Sequence, residues 1–209
     1  MSNILPTRVA FIDLEGVLCP EMWPFLGQRL GLPELMATTR ENPDYRRLMQ
    51  QRIAALRAHG ITITKIRREL EAFDLIYGAE DFIRRLSSLV KVVIVSDSFK
   101  PMNEAILSRI EASQVFCHAF TLDAEGFISG FEFWNELRGK QEVLNSVACH
   151  PARCLALGDA LNDLGLLRAV GCGILFRPSV ATQEQAKDLI WASAYAEVST
   201  LFAQHLDGH

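Results

Sequence analysis

Four short apolar runs are the most regular feature of the hydrophobic pattern along this chain. They cover residues 9–12, 90–95, 154–157 and 173–176. Short apolar runs that are bounded by polar residues are typical of buried strands. We therefore predict four strands in the core of a sheet.

The segments between these runs have the spacing of helices and of one hairpin. Helical spacing covers residues 78–89, 101–113, 140–147, 164–170 and the end of segment 187–206. Residues 116–133 alternate as strands do, and Asp123-Ala-Glu-Gly126 predicts a hairpin turn with Gly126 at positive φ. Strands that alternate with helices predict an α/β fold, in which a doubly wound, mainly parallel sheet carries helices on both faces.

Residues 20–77 interrupt this alternation, because they contain no strand pattern of any length. Three helices are predicted there, over residues 21–30, 44–59 and 64–73, and residues 38–43 are predicted to form a loop. Asp44 and Thr64 are the expected caps of the second and third helices. A helical block directly after the first strand is typical of a cap. We therefore predict a catalytic core of residues 1–19 and 78–209, and a small cap of residues 20–77, which we call the helical insertion.

Composition and charge narrow the classes of partner and location. The chain has 209 residues, of which 49% are hydrophobic and 22% charged, which predicts one domain or one domain with an insertion. A net charge of −4 provides no basic field, so we expect neither nucleic acid nor an anionic membrane as a partner. Five cysteines without C-x-x-C spacing argue against a disulfide framework or structural zinc. We find no signal-peptide pattern and no apolar run near ~18 residues, so we expect a cytoplasmic protein.

Three of the predicted strands end in polar clusters. Asp13 and Glu15 follow the first strand, Ser96 follows the second, and Asp159, Asn162 and Asp163 follow the third. Each cluster alone also fits a polar turn or a capped helix start. In a parallel sheet, however, all three strand ends lie at one edge, where α/β proteins bind ligands. Carboxylates that converge repel one another unless a cation lies among them, and oxygen ligands without His or Cys favour Mg²⁺.

These residue types suit metal-assisted phosphoryl transfer, which requires positioning and charge neutralisation. Asp13 can attack phosphorus and form an aspartyl phosphate. Glu15 can protonate the leaving oxygen and later activate water. Ser96 and the backbone amides after Asp13 can hold phosphoryl oxygens. A cationic side chain is also expected, and Lys140 is well placed by its order in the chain.

Four motifs, taken in order, resemble those of the haloacid-dehalogenase-like phosphatases. They are Asp-Leu-Glu-Gly-Val-Leu at 13–18, Ser96, Lys140 and Gly-Asp-Ala-Leu-Asn-Asp at 158–163. The resemblance covers nearly the whole chain and includes the small cap. Within this family the chain looks like the phosphoserine phosphatases, and most like the bifunctional type that also transfers the phosphoryl group to homoserine. Pro-Glu-Met-Trp at 20–23, Ala-Thr-Thr-Arg at 37–40, Pro-Asp-Tyr at 43–45 and Ser-Asp-Ser-Phe at 96–99 carry this second resemblance.

The resemblance implies a role for each motif residue. Asp13 corresponds to the nucleophile and Glu15 to the general acid and base, where the family usually has Asp. The implied Mg²⁺ ligands are Asp13, the Glu15 backbone carbonyl and Asp159, with Asp163 in support. The implied phosphate-binding residues are Ser96, Asp97, Gly16 and Asn162. Lys140 is the implied third-motif cation, and Arg138 is an alternative. Asp97 and Ser98 replace the glycines that the family often has after its serine.

The resemblance also implies a substrate. Glu21 corresponds to the residue that binds the ammonium group of phosphoserine, and Arg52 to the residue that binds its carboxylate. An amino-acid phosphate is therefore expected, with homoserine as a possible acceptor. Two alternatives stay open, which are the same chemistry on another small phosphomonoester and a catalytically silent relative. The sequence leaves the oligomeric state undetermined.

Overall fold

The structure, a computed structural model, describes residues 8–38 and 44–208. Most of the loop predicted at 38–43 lies outside these residues, as does the N-terminal stretch. The strands are β1 (Val9–Ile12), β2 (Lys91–Lys100), β3 (Gln114–Leu122), β4 (Ile128–Glu132), β5 (Leu155–Gly158), β6 (Cys172–Phe176) and β7 (Ile190–Ala192). The helices are α1 (Met22–Leu30), α2 (Tyr45–Ala58), α3 (Ile63–Leu70), α4 (Ala79–Ser87), α5 (Glu104–Leu107), α6 (Leu164–Ala169), α7 (Val180–Gln185) and α8 (Tyr195–Asp207).

The seven strands form one sheet in the order β4-β3-β2-β1-β5-β6-β7. Neighbouring strands are parallel except for β3 and β4, which form the predicted antiparallel hairpin, with Gly126 at a φ of 84°. The predicted fold class is therefore confirmed. β1 lies at the centre, between β2 and β5, and all four of its residues are fully buried. The carboxyl ends of β1 and β5 consequently lie side by side.

Two predictions around β2 are wrong. The strand does not end at Val95 but continues to Lys100, because it keeps pairing with β3 after a register shift between Val95 and Phe99. The helix predicted over 101–113 is reduced to α5. Asn103, directly before α5, donates a side-chain hydrogen bond to the Ser98 hydroxyl at 2.8 Å.

Three helix assignments also differ from the prediction. Thr62 rather than Thr64 caps α3, since its hydroxyl accepts the Lys65 amide. Residues Lys140–Asn145 form a 3₁₀ helix instead of an α-helix. The short helix α7 was not predicted, and its start is fixed by a hydrogen bond from the Thr182 amide to the Ser179 hydroxyl at 3.2 Å.

The helical insertion packs against the core beside the β3–β4 hairpin. Arg57 of α2 forms a 2.8 Å salt bridge with Asp123, and the Ile63 amide at the start of α3 donates to the Gly126 carbonyl at 2.9 Å. Arg46 lies over the Phe133 ring at 4.9 Å. One hydrophobic cluster runs from the insertion into the sheet. The insertion therefore rests on the hairpin while it covers the carboxyl end of β1.

No helix in the described ranges, 8–38 and 44–208, is both long and apolar enough to cross a membrane.

Candidate active site

A buried lysine between two aspartates lies at the centre of the site. Lys140 Nζ is 2.8 Å from Asp13 Oδ1 and 2.7 Å from Asp163 Oδ1. The three residues are 1%, 7% and 2% exposed, respectively. Burial alone would favour neutral lysine, but the two carboxylates outweigh it and raise the lysine pKa well above its usual value. Lys140 is therefore a permanent cation in contact with the predicted nucleophile.

Lys140, and not Arg138, is the cation that contacts Asp13. The 3₁₀ helix Lys140–Asn145 follows Gly139, whose φ of 104° turns the chain inward at this point. Arg138 points outward, is largely exposed, and lies 3.4 Å from Glu142. Of the two cations that the sequence left open, Lys140 is the one that lies against Asp13.

The aspartates also form a candidate metal site. One oxygen each of Asp13, Asp159 and Asp163 can be chosen so that all lie within 4.8 Å of one another. Asp163 is held in place because its Oδ2 accepts the amides of Asp159 and Ala160, both at 3.0 Å. A Cβ at Gly16 would lie 2.4 Å from Asp159 Oδ2, so only glycine leaves room for that carboxylate.

The electrostatics of the three carboxylates fit a hard divalent cation. Burial, followed by the neighbouring Asp163 charge, raises the pKa of Asp159 to about 7, and the same two causes raise the pKa of Asp13. Lys140 opposes this effect but does not cancel it. A second positive charge would therefore be favourable, and an all-carboxylate donor set suits Mg²⁺. The predicted contribution of the Glu15 carbonyl stays a prediction.

Glu15 has the properties of a proton donor. Its Oε1 accepts the Met22 amide at 2.6 Å, which ties it to the first turn of α1. Burial, and then the charge of Glu21, raise its pKa to about 8. A carboxyl group with that pKa is mostly protonated at pH 7. The longer side chain that replaces the usual aspartate is thus fixed in position by a backbone amide.

Of the predicted phosphate-binding residues, Ser96 and Asp97 lie on β2, Asn162 follows β5, and Gly16 follows β1 at a φ of 78°. Ser96 is 1% exposed and its hydroxyl accepts the Ser98 amide at 3.1 Å. The Asp97 carboxylate accepts the Asn162 side-chain amide at 2.7 Å. This bond joins the second and fourth motifs directly.

The predicted substrate residues come from the helical insertion. Arg52, on α2, is 4% exposed and its guanidinium lies 4.6 Å above the Trp23 ring. Its pKa is lowered by burial, while the charges of Tyr45, Glu15 and Glu21 oppose the effect. Glu21 directly precedes α1 and is exposed. Both residues therefore lie within electrostatic reach of Glu15, the predicted acid-base residue.

Three residues in this region were not assigned a role from the sequence. Tyr45 donates a hydrogen bond to the Asp97 carbonyl at 2.8 Å. His118 is fully buried, and its Nε2 lies 3.5 Å from Asp97 Oδ1. Asn103 supports Ser98. A local signal was present only for Tyr45, which belongs to the apolar face of α2 and to the Pro-Asp-Tyr motif.

Comparison with known proteins agrees with this geometry. A family model described as a haloacid dehalogenase-like hydrolase matches residues 7–171. Phosphoserine phosphatase ThrH of Pseudomonas aeruginosa is 32% identical over 169 residues, which cover 81% of this chain and 82% of that protein. A phosphoserine phosphatase of Pseudomonas syringae is also 32% identical, over 81% of this chain and 71% of that protein. An apo phosphoserine phosphatase structure has the same fold, with a TM-score of 0.77 at 17% identity, over 93% of this chain and 98% of that chain.

We expect Mg²⁺ to stabilise the protein through the three aspartates. At a concentration of about 100 times the dissociation constant, the gain in the free energy of unfolding is about 2.7 kcal/mol, which thermal unfolding detects. Asp159→Asn should unfold at the same or a higher temperature without metal, because it removes a repulsive charge, and should require at least about tenfold more Mg²⁺ for the same shift. Asp207→Asn, an equal charge change at the end of α8, is the control. A full Mg²⁺ response in Asp159→Asn would contradict the assignment.

Proposed function

We propose that this chain, which belongs to the haloacid dehalogenase-like hydrolase family, is a Mg²⁺-dependent phosphatase of O-phosphoserine that also transfers the phosphoryl group to homoserine. The helical insertion acts as the cap that selects the substrate. The names of the two Pseudomonas relatives support phosphoserine as the substrate. A cytoplasmic location is part of the proposal, since the five free thiols persist in a reducing compartment.

The observation that supports phosphoserine as the substrate is that Arg52 is buried without a direct anionic contact in the described part of the chain. Its contacts in the described part of the chain are the Ala37 carbonyl at 2.7 Å, the Met49 sulfur at 3.6 Å and the Trp23 ring, and none of these is an anion. Its Nε is buried without a hydrogen-bond partner among these residues. The charges of Glu15 and Glu21 favour this cation from nearby, but the contacts above include no carboxylate, and a buried cation without a direct anionic contact is costly. A ligand carboxylate would supply the missing charge, and phosphoserine carries one.

In the first step, the Asp13 carboxylate attacks phosphorus. Leu14 N and Lys140 Nζ both contact Asp13 Oδ1, at 2.7 and 2.8 Å, so we assign the attack to Oδ2. A bond forms between Oδ2 and phosphorus, and the bond between phosphorus and the serine oxygen breaks. Glu15 gives its proton to that oxygen, and serine leaves as a neutral alcohol.

In the second step, Glu15 takes a proton from the incoming hydroxyl group. That group belongs to water, which gives inorganic phosphate, or to homoserine, which gives phosphohomoserine. The new oxygen–phosphorus bond forms as the bond to Asp13 breaks, and Glu15 is protonated again. Ser96 donates to the phosphoryl oxygens and Lys140 neutralises charge throughout.

Bound Mg²⁺, held by Asp13, Asp159 and the Glu15 backbone carbonyl with Asp163 in support, would neutralise the phosphoryl oxygens.

The direct test supplies the wild-type protein with O-phosphoserine and Mg²⁺, with and without homoserine, and follows free phosphate and phosphohomoserine separately. We expect phosphate release without homoserine and formation of phosphohomoserine in its presence. Both products should disappear when Mg²⁺ is chelated. Phosphate alone would support the hydrolase and reject the transfer. Absence of turnover, with activity on a sugar phosphate instead, would reject phosphoserine as the substrate.

Arg52→Met tests the carboxylate contact while it keeps a side chain of similar length against Trp23. Because a hydrogen bond to a charged group contributes about 1.5–3 kcal/mol, we expect kcat/KM for phosphoserine to fall roughly 10- to 100-fold. Turnover of p-nitrophenyl phosphate should change less than about twofold, because this substrate has no carboxylate and cannot make the contact that Arg52→Met removes. Arg47→Met, at an exposed position of the same helix, is the matched control. Equal losses on both substrates in Arg52→Met would argue against an amino-acid pocket.

A further inference from the structure

Tyr45 joins the helical insertion to the strand that carries Ser96. It is the first residue of α2, and its hydroxyl donates a 2.8 Å hydrogen bond to the backbone carbonyl of Asp97. Its ring stacks on Phe133, with centroids 5.6 Å apart. Tyr45 is half-buried, and burial raises the pKa of its hydroxyl well above the usual value. A buried hydroxyl without a partner is costly, so this bond is hard to give up.

The Asp97 segment is itself fixed from a second side. The Asp97 carboxylate accepts the Asn162 amide, and the buried His118 lies against its other oxygen. The Trp134 amide donates to His118 Nδ1 at 3.3 Å, so the neutral ring carries its proton on Nε2, which lies 3.5 Å from Asp97 Oδ1 and has no hydrogen-bond partner among the described residues. Burial lowers the His118 pKa to about 4, which keeps the ring neutral at pH 7. The position of Asp97 is therefore fixed by a contact other than the one that Tyr45 makes to its carbonyl.

The same helix carries Arg52, seven residues after Tyr45. Seven residues are about two helical turns, so both side chains lie on one face of α2. Their electrostatic coupling agrees with this placement, because the Arg52 charge counteracts the rise in the Tyr45 pKa. The phosphoryl-binding Ser96 directly precedes Asp97 in the chain. One hydrogen bond thus connects the two ends of the proposed substrate pocket.

We propose that Tyr45 is a specificity-determining positioning residue, whose hydrogen bond to the Asp97 carbonyl sets the distance from Ser96 to Arg52 and so matches the pocket to an amino-acid phosphate. This inference rests on the proposed function. Tyr45 contacts neither reacting group and acts through the position of Arg52. A phosphomonoester without a carboxylate should be indifferent to it.

The test is a double-mutant cycle with Tyr45→Phe and Arg52→Met. Tyr45→Phe removes the donor and keeps the ring packing. We expect KM for phosphoserine to rise roughly three- to tenfold, in keeping with the loss of one hydrogen bond, while kcat and the turnover of p-nitrophenyl phosphate change less than about twofold. In the Arg52→Met background, Tyr45→Phe should add less than about twofold, because the contact that it positions is already absent.

Tyr195→Phe is the matched control, since the Tyr195 hydroxyl also donates to a backbone carbonyl, that of Val17, at 2.6 Å. It should lower thermal stability as Tyr45→Phe does and leave the preference for phosphoserine over p-nitrophenyl phosphate unchanged. Additive effects of Tyr45→Phe and Arg52→Met, equal effects on the two substrates, or no effect of Tyr45→Phe would each overturn the inference while the wild-type activity stands. A wild-type enzyme without any preference for phosphoserine would overturn the proposed function and the inference together.

Discussion

The structure depends on one buried interaction, in which Lys140 lies between Asp13 and Asp163. Burying any one of these three charged groups alone, away from water, would be unfavourable. Together they compensate in part, and Asp163 gains two further hydrogen bonds from the amides of Asp159 and Ala160. Burial, together with the remaining excess of negative charge, raises the pKa of Asp13 and Asp159. A divalent cation would offset this excess of negative charge.

The helical insertion adds a positive charge to this site. It places the buried guanidinium of Arg52 near Glu15 and Glu21, and the Met22 amide in the first turn of α1 binds Glu15. The insertion is held by the β3–β4 hairpin at its outer side and by Tyr45 at its inner side. Two contacts, one of them beside Ser96, hold the insertion against the core, as the proposed selection of an amino-acid phosphate requires.

Local patterns in the sequence were sufficient to predict the strands of the sheet core and to single out the motif residues. Asp13, Ser96 and Asp159 each lie within or directly after an apolar run, so their convergence followed from a parallel sheet alone. The hairpin and the cap residue Asp44 were equally local, and both are confirmed. Lys140 could be placed only by order, and its contact with Asp13 required the structure.

Features that depend on distant residues could not be predicted. β2 continues past Ser96 because β3 offers a shifted pairing partner. Tyr45 meets Asp97 across 52 positions of sequence, and His118 is separated from Asp97 by a whole connection. The hydrophobic periodicity of the sequence does not indicate contacts between residues so far apart in the chain. Tyr45 therefore looked like one apolar residue among several on α2, although it lies where the insertion and β2 meet.

The central claim is that Asp13 carries the phosphoryl group between donor and acceptor. Mass spectrometry of the enzyme, quenched in acid during turnover of phosphoserine, tests it most directly. The expected result is an added mass of one phosphoryl group that maps to Asp13, is lost when homoserine is added as phosphohomoserine appears, and is absent in Asp13→Asn. A phosphoryl group on another side chain, or continued turnover by Asp13→Asn, would contradict the claim.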